Sequence, residues 1–237
     1  MYPWPPVPPS LTVVVPVWNE QHRLRAGFAG LERLRVVVPD VEGILIDDGS
    51  TDGTLALARA EAPSWVRVLA EPHRGKGGAL KAGVAHATGD RVLVTDVDWS
   101  VAPEVVQTLI AADAEVVCAV REGSGARRLA EPFWRHLMGR VFNRLVQETV
   151  LSGHWDTQCG FKLLERRCAQ DLYARLTVEG WAYDVELLTL AHLHGYTVKD
   201  VAVVWRYEED SRLRTVSDGV TMLRDVRRVA RRIRRPG

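Results

Sequence analysis

The sequence has only three cysteines, Cys118, Cys159 and Cys168, and no CxxC pair, which excludes a disulfide framework and a zinc knuckle. They read as reduced thiols. Long apolar runs are also missing: the longest, Leu11 to Trp18, is far short of the ~20 residues that a membrane-spanning helix needs. No segment is expected to cross a bilayer. The first ten residues hold five prolines and neither Lys nor Arg, unlike the charged start of a secretory signal, so a cytoplasmic location is expected. There is no excess of one charge either. Lys plus Arg number 31 against 30 Asp plus Glu, a net +1, which argues against a nucleic-acid binder. HExxH, GxSxG and the GxxxxGK[ST] phosphate loop do not occur, and the seven histidines are assigned no metal.

What is present suits one compact domain of 237 residues, 46% hydrophobic and 26% charged. Its charge is unevenly spread. Arg224 to Gly237 contains seven arginines and one aspartate, so the rest of the chain carries a net −5. On a helical wheel Val220, Met222, Leu223, Val226, Val229, Ala230 and Ile233 share one half, while Arg224, Arg228, Arg231, Arg232 and Arg235 share the other. This basic amphipathic helix can attach to an anionic membrane surface. It can equally pack on the domain with a solvated basic face.

Strand and helix patterns alternate from Leu11 onward. Strands are expected at Leu11–Val17, Gly43–Ile46, Val66–Ala70, Arg91–Thr95 and Glu115–Val120, with helices at 21–34, 54–61, 77–87 and 103–111. Beyond Arg121 the pattern loosens into helices around Phe133–Glu148 and Tyr183–His194, an intervening segment Asp156–Leu164, and a strand Thr197–Val204. Such alternation predicts an α/β fold, a mostly parallel sheet flanked by helices, with ligands beyond the carboxyl ends of its strands.

Polar clusters fall at those ends. Asp96-Val97-Asp98 follows the fourth strand, and paired carboxylates are costly without a cation. Mg²⁺ or Mn²⁺ bridging them to a diphosphate would relieve the repulsion, although an isolated DxD is more often a solvated turn. Asn19-Glu20 and Asp47-Asp48 follow the first two strands. They could accept hydrogen bonds from a base and a ribose, or simply cap helices. Lys76, within His73-Arg74-Gly75-Lys76-Gly77-Gly78, opens a helix where an anion can approach the backbone. Arg121, Arg127, Arg128, Arg135 and Arg140 offer a second anion site, of which two or three could reach one phosphate. Trp155, Trp181 and Trp205 read first as core aromatics, with an exposed indole able to line a sugar or lipid passage.

Six segments carry a resemblance: Val15-Pro16-Val17-Trp18-Asn19-Glu20, Ile46 to Thr54, Gly75-Lys76-Gly77-Gly78-Ala79, Asp96-Val97-Asp98, Asp156 to Leu163 and Trp181 to Leu188. Together they resemble the inverting nucleotide-sugar glycosyltransferases of the GT-A fold, and among these the polyprenyl-phosphate (dolichyl-phosphate) glucosyltransferase and mannose synthase branch. The resemblance implies that Pro16, Val17, Asn19, Glu20, Asp47, Asp48, Lys76 and Asp96 hold the nucleotide, and that Asp98, with Asp96, carries the metal. It further implies that Arg121 and Arg135 bind the acceptor phosphate, and that Asp98, Asp156, Lys162 and Arg121 form the catalytic set. The implied reaction moves a hexose, glucose from UDP-glucose before mannose from GDP-mannose, onto polyprenyl phosphate. A transferase with a soluble acceptor and a non-catalytic nucleotide-sugar-binding scaffold are its rivals. The chain departs from the pattern at Trp99, where the glucosyl branch usually has glycine, and the amino-terminal anchor of eukaryotic members is not expected in it. In that context the arginine-rich terminal helix is expected to hold the protein peripherally on the cytoplasmic face of a membrane. The reading divides the chain into a Pro-rich tail, 1–10, a GT-A domain, 11–210, and the basic helix, 211–237.

Overall fold

The computed structural model describes residues 10–151, 153–154, 156–208 and 217–233. The Pro-rich tail before Ser10, Trp155, Arg235 and the expected boundary at 210 lie outside the described residues. Nine strands and eight helices follow in chain order among these residues. They are β1 (Leu11–Val17), α1 (Leu24–Val37), β2 (Val41–Asp48), α2 (Thr54–Glu61), β3 (Val66–Glu71), α3 (Lys76–Val84), β4 (Arg91–Val94), α4 (Val106–Ala111) and β5 (Val116–Val120). They continue with β6 (Arg127–Leu129), α5 (Phe133–Thr149), β7 (Lys162–Glu165), α6 (Arg166–Arg175), α7 (Tyr183–Leu193), β8 (Val198–Ala202), β9 (Val204–Arg206) and α8 (Ser217–Ile233).

The described residues form a seven-stranded sheet in the order β3-β2-β1-β4-β7-β5-β8 and a two-stranded pair, β6-β9. All neighbours in the larger sheet are parallel except at β7, which runs antiparallel to β4 and β5. The central strand β1 is apolar along almost its whole length because both of its faces are covered. Val14 packs with α3, α6 and α7 on one face, while Val13 and Val15 pack with α1 and α4 on the other. Pro16 is tolerated in this strand because β4 pairs with it only as far as Val14. All three cysteines are free and buried, and burial raises their thiol pKa values, so they stay inert packing residues.

Three features differ from expectation. The single strand expected at 197–204 is broken at buried Val203, sending β8 to the large sheet and β9 to the small one. Helix α6 and strand β6 had no clear periodic signature, and α1 begins at Leu24 because residues 21–23 form a turn. The third difference concerns α8. Much of its apolar side packs on the domain: Met222, Val226 and Val229 are buried in the core, Ile233 packs beside them, and the helix contacts α5 and α7. Arg232 turns inward as well, donating to Glu186 at 2.7 Å. Covering apolar core outweighs any gain from lipid at that face, so α8 is a structural helix with an exposed basic side.

Candidate active site

Parallel strands share one carboxyl edge, and this brings distant sequence positions together. Asn19 and Glu20 follow β1, Asp47 and Asp48 end β2, Asp96 and Asp98 follow β4, and Arg121 follows β5. Because β7 is reversed, its first residue, Lys162, arrives at the same edge, paired with Val94 and Cys118. A cleft of about 920 Å³ opens there, lined by Lys76, Asp96, Asp98, Arg121, Arg135 and Asp156 among others. Its volume suits a ligand of nucleotide size.

One wall is acidic. Lys76 Nζ lies 2.6 Å from Asp96 Oδ1, and its ammonium sits 5.5 Å from the Trp181 ring centroid. Burial opposes ionisation of Asp96, but Lys76, Lys162 and Arg23 outweigh it and hold the carboxyl below its ordinary range. Asp98 behaves in the opposite way: burial and the neighbouring Asp96 charge raise its pKa. Its Oδ1 accepts the Ser100 N–H and O–H, both at 3.0 Å, leaving Oδ2 with Arg23 Nη1 at 3.9 Å. Gly160 is required beside them, since a Cβ there would overlap the Asp96 carboxylate and come 3.1 Å from Lys76 Nζ. A hard divalent cation fits this pair, because Asp98 keeps an oxygen not claimed by a close donor and bears unrelieved like-charge repulsion. No group of three or more His, Cys, Asp or Glu that could hold a metal exists among the described residues. Ligand oxygens must therefore complete the coordination, as is usual for Mg²⁺ at a diphosphate.

Arginines paired with carboxylates line the same cleft. Arg121 donates Nε and Nη2 to the Asp156 carboxylate at 2.8 and 2.7 Å, and its backbone N–H adds a third bond at 2.7 Å. Asp156 is thereby held well below the usual carboxylate range: burial opposes its charge, and Arg121 prevails. Arg121 is thus not the open clamp expected of it, since only Nη1 lacks a hydrogen-bond partner among the described residues. Asp156 likewise positions Arg121 rather than facing a substrate alone. Trp205 lies between Arg121 and Arg128, 5.2 and 5.9 Å from their guanidinium carbons. Arg135 stacks over Tyr207 at 5.2 Å and donates to its hydroxyl at 3.1 Å. Arg128 pairs with Glu122 and Glu131, Arg140 also lines the cleft, and Arg127 does not.

Lys162 needs a correction. Its ammonium is fully buried, bonded to Asp184 Oδ1 and the Cys159 carbonyl at 2.5 Å each, and it does not line the cleft. It acts on Asp96 through space instead of touching a substrate.

The ends of β1 and β2 lie outside the lining of the cleft. The Val17 side chain is buried in the core, which removes it as a side-chain ligand. Asn19 Oδ1 accepts the Thr51 N–H at 2.8 Å and its N–H donates to Ser50 Oγ at 2.9 Å, tying the two strand ends together. Glu20 is buried and pairs with Arg23, whose Nη2 is 2.7 Å away. Asp48 accepts the Arg74 and Gly75 N–H groups at 2.8 and 2.9 Å, which fixes the loop carrying Lys76. Asp47 is different: Oδ2 accepts the Ser50 N–H, but buried Oδ1 has no partner. An orphaned buried acceptor of that kind is costly unless a ligand donor reaches it.

With this geometry in place, comparison with known proteins is decisive. Residues 12–172 match the family model described as Glycosyl transferase family 2. The chain belongs to this family. It is a glycosyltransferase, built on the mostly parallel GT-A sheet. This family 2 chain is 32% identical over 239 residues to a dolichyl-phosphate beta-glucosyltransferase of Dictyostelium discoideum, covering 92% of the chain and 73% of the relative. It is also 32% identical over 231 residues to the Homo sapiens protein of the same name, covering 89% and 71%. Among solved structures, Mycobacterium tuberculosis glucosyl-3-phosphoglycerate synthase in complex with Mn²⁺, UDP and phosphoglyceric acid shares the fold, with a TM-score of 0.69 at 21% identity. That alignment covers 93% of this chain and 77% of the other.

Sequence reasoning missed Arg23, Ser100, Asp184 and Tyr207, and read Trp205 first as a core aromatic. Arg23 and Ser100 lie just beyond the Asn19-Glu20 and Asp96-Val97-Asp98 clusters but carried no signal of their own, and Trp205 and Tyr207 reach the cleft only because β9 pairs with β6. Asp184 was legible as part of the Trp181 to Leu188 segment, but its pairing with Lys162 requires the fold.

Proposed function

We propose that this chain transfers glucose from UDP-glucose to the phosphate of a polyprenol, with inversion at the anomeric carbon and with a divalent cation, Mg²⁺ or Mn²⁺, as cofactor. One observation carries the reading: a single cleft is lined by Asp96 and Asp98 and also by Arg121, Arg128, Arg135 and Arg140. Two anions must meet for such a transfer, and the cleft offers each a separate partner. The names of the relatives, dolichyl-phosphate beta-glucosyltransferase, support the sugar and the acceptor class. Structural neighbours in complex with Mn²⁺, UDP and UDP-glucose support the donor and the metal.

A phosphate monoester has a second pKa of about 6 and is largely dianionic at neutral pH, so the acceptor needs no strong general base. The residues therefore act by placement. Lys76, at the first turn of α3, takes the donor diphosphate. Asp47 Oδ1 accepts a base N–H, and Trp181 offers an apolar face to the hexose. Arg121, locked by Asp156, and Arg135, stacked on Tyr207, hold the incoming phosphate in line with the anomeric carbon. A divalent cation held by Asp98, with Asp96, would neutralise the departing diphosphate.

The test is a panel of radiolabelled nucleotide sugars assayed with polyprenyl phosphate in detergent. Glucosyl lipid from UDP-glucose, lost in EDTA, is expected. Transfer only from GDP-mannose would replace the donor assignment, and transfer to soluble acceptors without lipid would overturn the acceptor assignment.

A further inference from the structure

Helix α5 presents its hydrophobic residues to the outside. Phe133 is 78% exposed, Val141 64%, Trp134 52% and Leu137 52%, with Met138 and Leu145 also exposed. At 100° per residue these six fall within an arc of about 140° of the helix. The domain contacts the other side, where Val146 is buried. Solvent-facing apolar residues usually occur singly, so a continuous stripe of six needs a partner.

Two observations indicate what that partner is. The stripe is continuous with the cleft, because Met138 and Val141 belong to both. Exposed cations lie on the same helix and on its neighbour: Arg140 and Arg144 on α5, the latter paired with Glu148, and Arg224, Arg227, Arg228 and Arg231 on α8, which contacts α5. An apolar strip bordered by arginines is complementary to an anionic lipid surface, where side chains enter the acyl boundary and guanidinium groups meet headgroups.

We infer that the exposed face of α5 is a membrane-docking surface that seats on an anionic phospholipid bilayer and brings the cleft mouth to the lipid. The inference deepens, and its second clause rests on, the polyprenyl-phosphate reading. An acceptor whose phosphate lies among the arginines and whose tail remains in the bilayer must leave the cleft over an apolar wall. Met138 and Val141 provide that wall. Membrane contact thus moves from the apolar side of α8, which the core occupies, to α5, with the basic side of α8 as an electrostatic aid.

The full chain is sedimented with vesicles of phosphatidylcholine and phosphatidylglycerol, alongside a variant carrying Phe133→Ser, Trp134→Ser and Leu137→Ser, three positions outside the cleft lining. The partition coefficient is expected to fall about tenfold or more in the variant. Glucose transfer to a short, water-soluble isoprenyl phosphate should stay unchanged. In the otherwise unaltered protein, brominated lipid should quench a fluorescence component that disappears with Trp134→Phe. Equal partitioning of the two proteins, or no quenching of Trp134, overturns the inference. So does a dimer in solution that the triple substitution dissociates while neither protein binds vesicles, since a second copy then covers the stripe. Vesicle binding that depends on α5 without transfer to any isoprenyl phosphate supports the surface and removes the acceptor assignment alone.

Discussion

Lys162 and Asp184 form an ion pair in which both side chains are buried, with Nζ 2.5 Å from Oδ1. Asp184 also reaches the cleft lining, and Lys162 stabilises the charge of Asp96 from beneath. The pair thus joins the core to the acidic wall. Desolvation favours loss of the Lys162 charge, but Asp184 prevails and raises its pKa.

Replacing Lys162 by Met leaves Asp184 buried without a counter-charge and should destabilise the fold by about 3–5 kcal/mol. Chemical denaturation gives this value directly. Adding Asp184→Leu should restore much of the loss, since two apolar groups leave no orphaned charge. A double variant no more stable than Lys162→Met would show that the pair is not energetically coupled.

Asp98→Asn should lower kcat by about 100-fold or more through loss of the cation site, while the melting temperature in EDTA stays equal or rises because repulsion with Asp96 is relieved. Adding Mn²⁺ should raise the melting temperature of the parent protein and not that of the variant. An equal rise in both would remove Asp98 as a metal ligand.

The Arg121 and Asp156 pair should leave a pH signature. The pKa of Asp156 is depressed in the folded chain, so its stabilisation is present above the unfolded value of about 3.9 and is lost as pH falls below it toward the folded value. Asp156→Asn should therefore be destabilised by about 3–5 kcal/mol at pH 7. The gap to the parent protein should stay constant from pH 8 to 5 and narrow only below about pH 4. A gap that closes near neutrality would contradict the assignment.

Arg135→Ala should raise the acceptor KM by about tenfold or more, the value of one charge-assisted phosphate contact, and leave the donor KM unchanged. Arg135→Lys should recover little, because stacking on Tyr207 needs a planar guanidinium. If the donor KM moves instead, Arg135 belongs to the opposite side of the cleft.

Much of the site was legible because it depends on local order. Asp96 and Asp98 follow a strand that ends in three apolar residues, and Asp48 ends β2, so the alternation of strands and helices alone placed their carboxylates at one edge. Lys162 and Arg121 were found as residues, but the carboxylates that hold them were not legible. Whether a cation meets a substrate or a buried carboxylate depends on which segments lie beside it, and Asp184 and Asp156 are 22 and 35 positions away. What covers the apolar side of the terminal helix was illegible for a similar reason. A wheel shows that a helix has an apolar side but not what covers it.

Composition and periodicity determined by themselves that this chain is an α/β protein with its polar clusters at the carboxyl ends of the strands, because those features act within one or two elements, while the transferase reading came from the resemblance carried by its six motif segments. The reversal of β7, the locking of Arg121 by Asp156, the burial of Lys162 and the outward apolar face of α5 were decided only in three dimensions. Each depends on which surfaces exclude water from one another, and that is a property of the packed chain rather than of any segment.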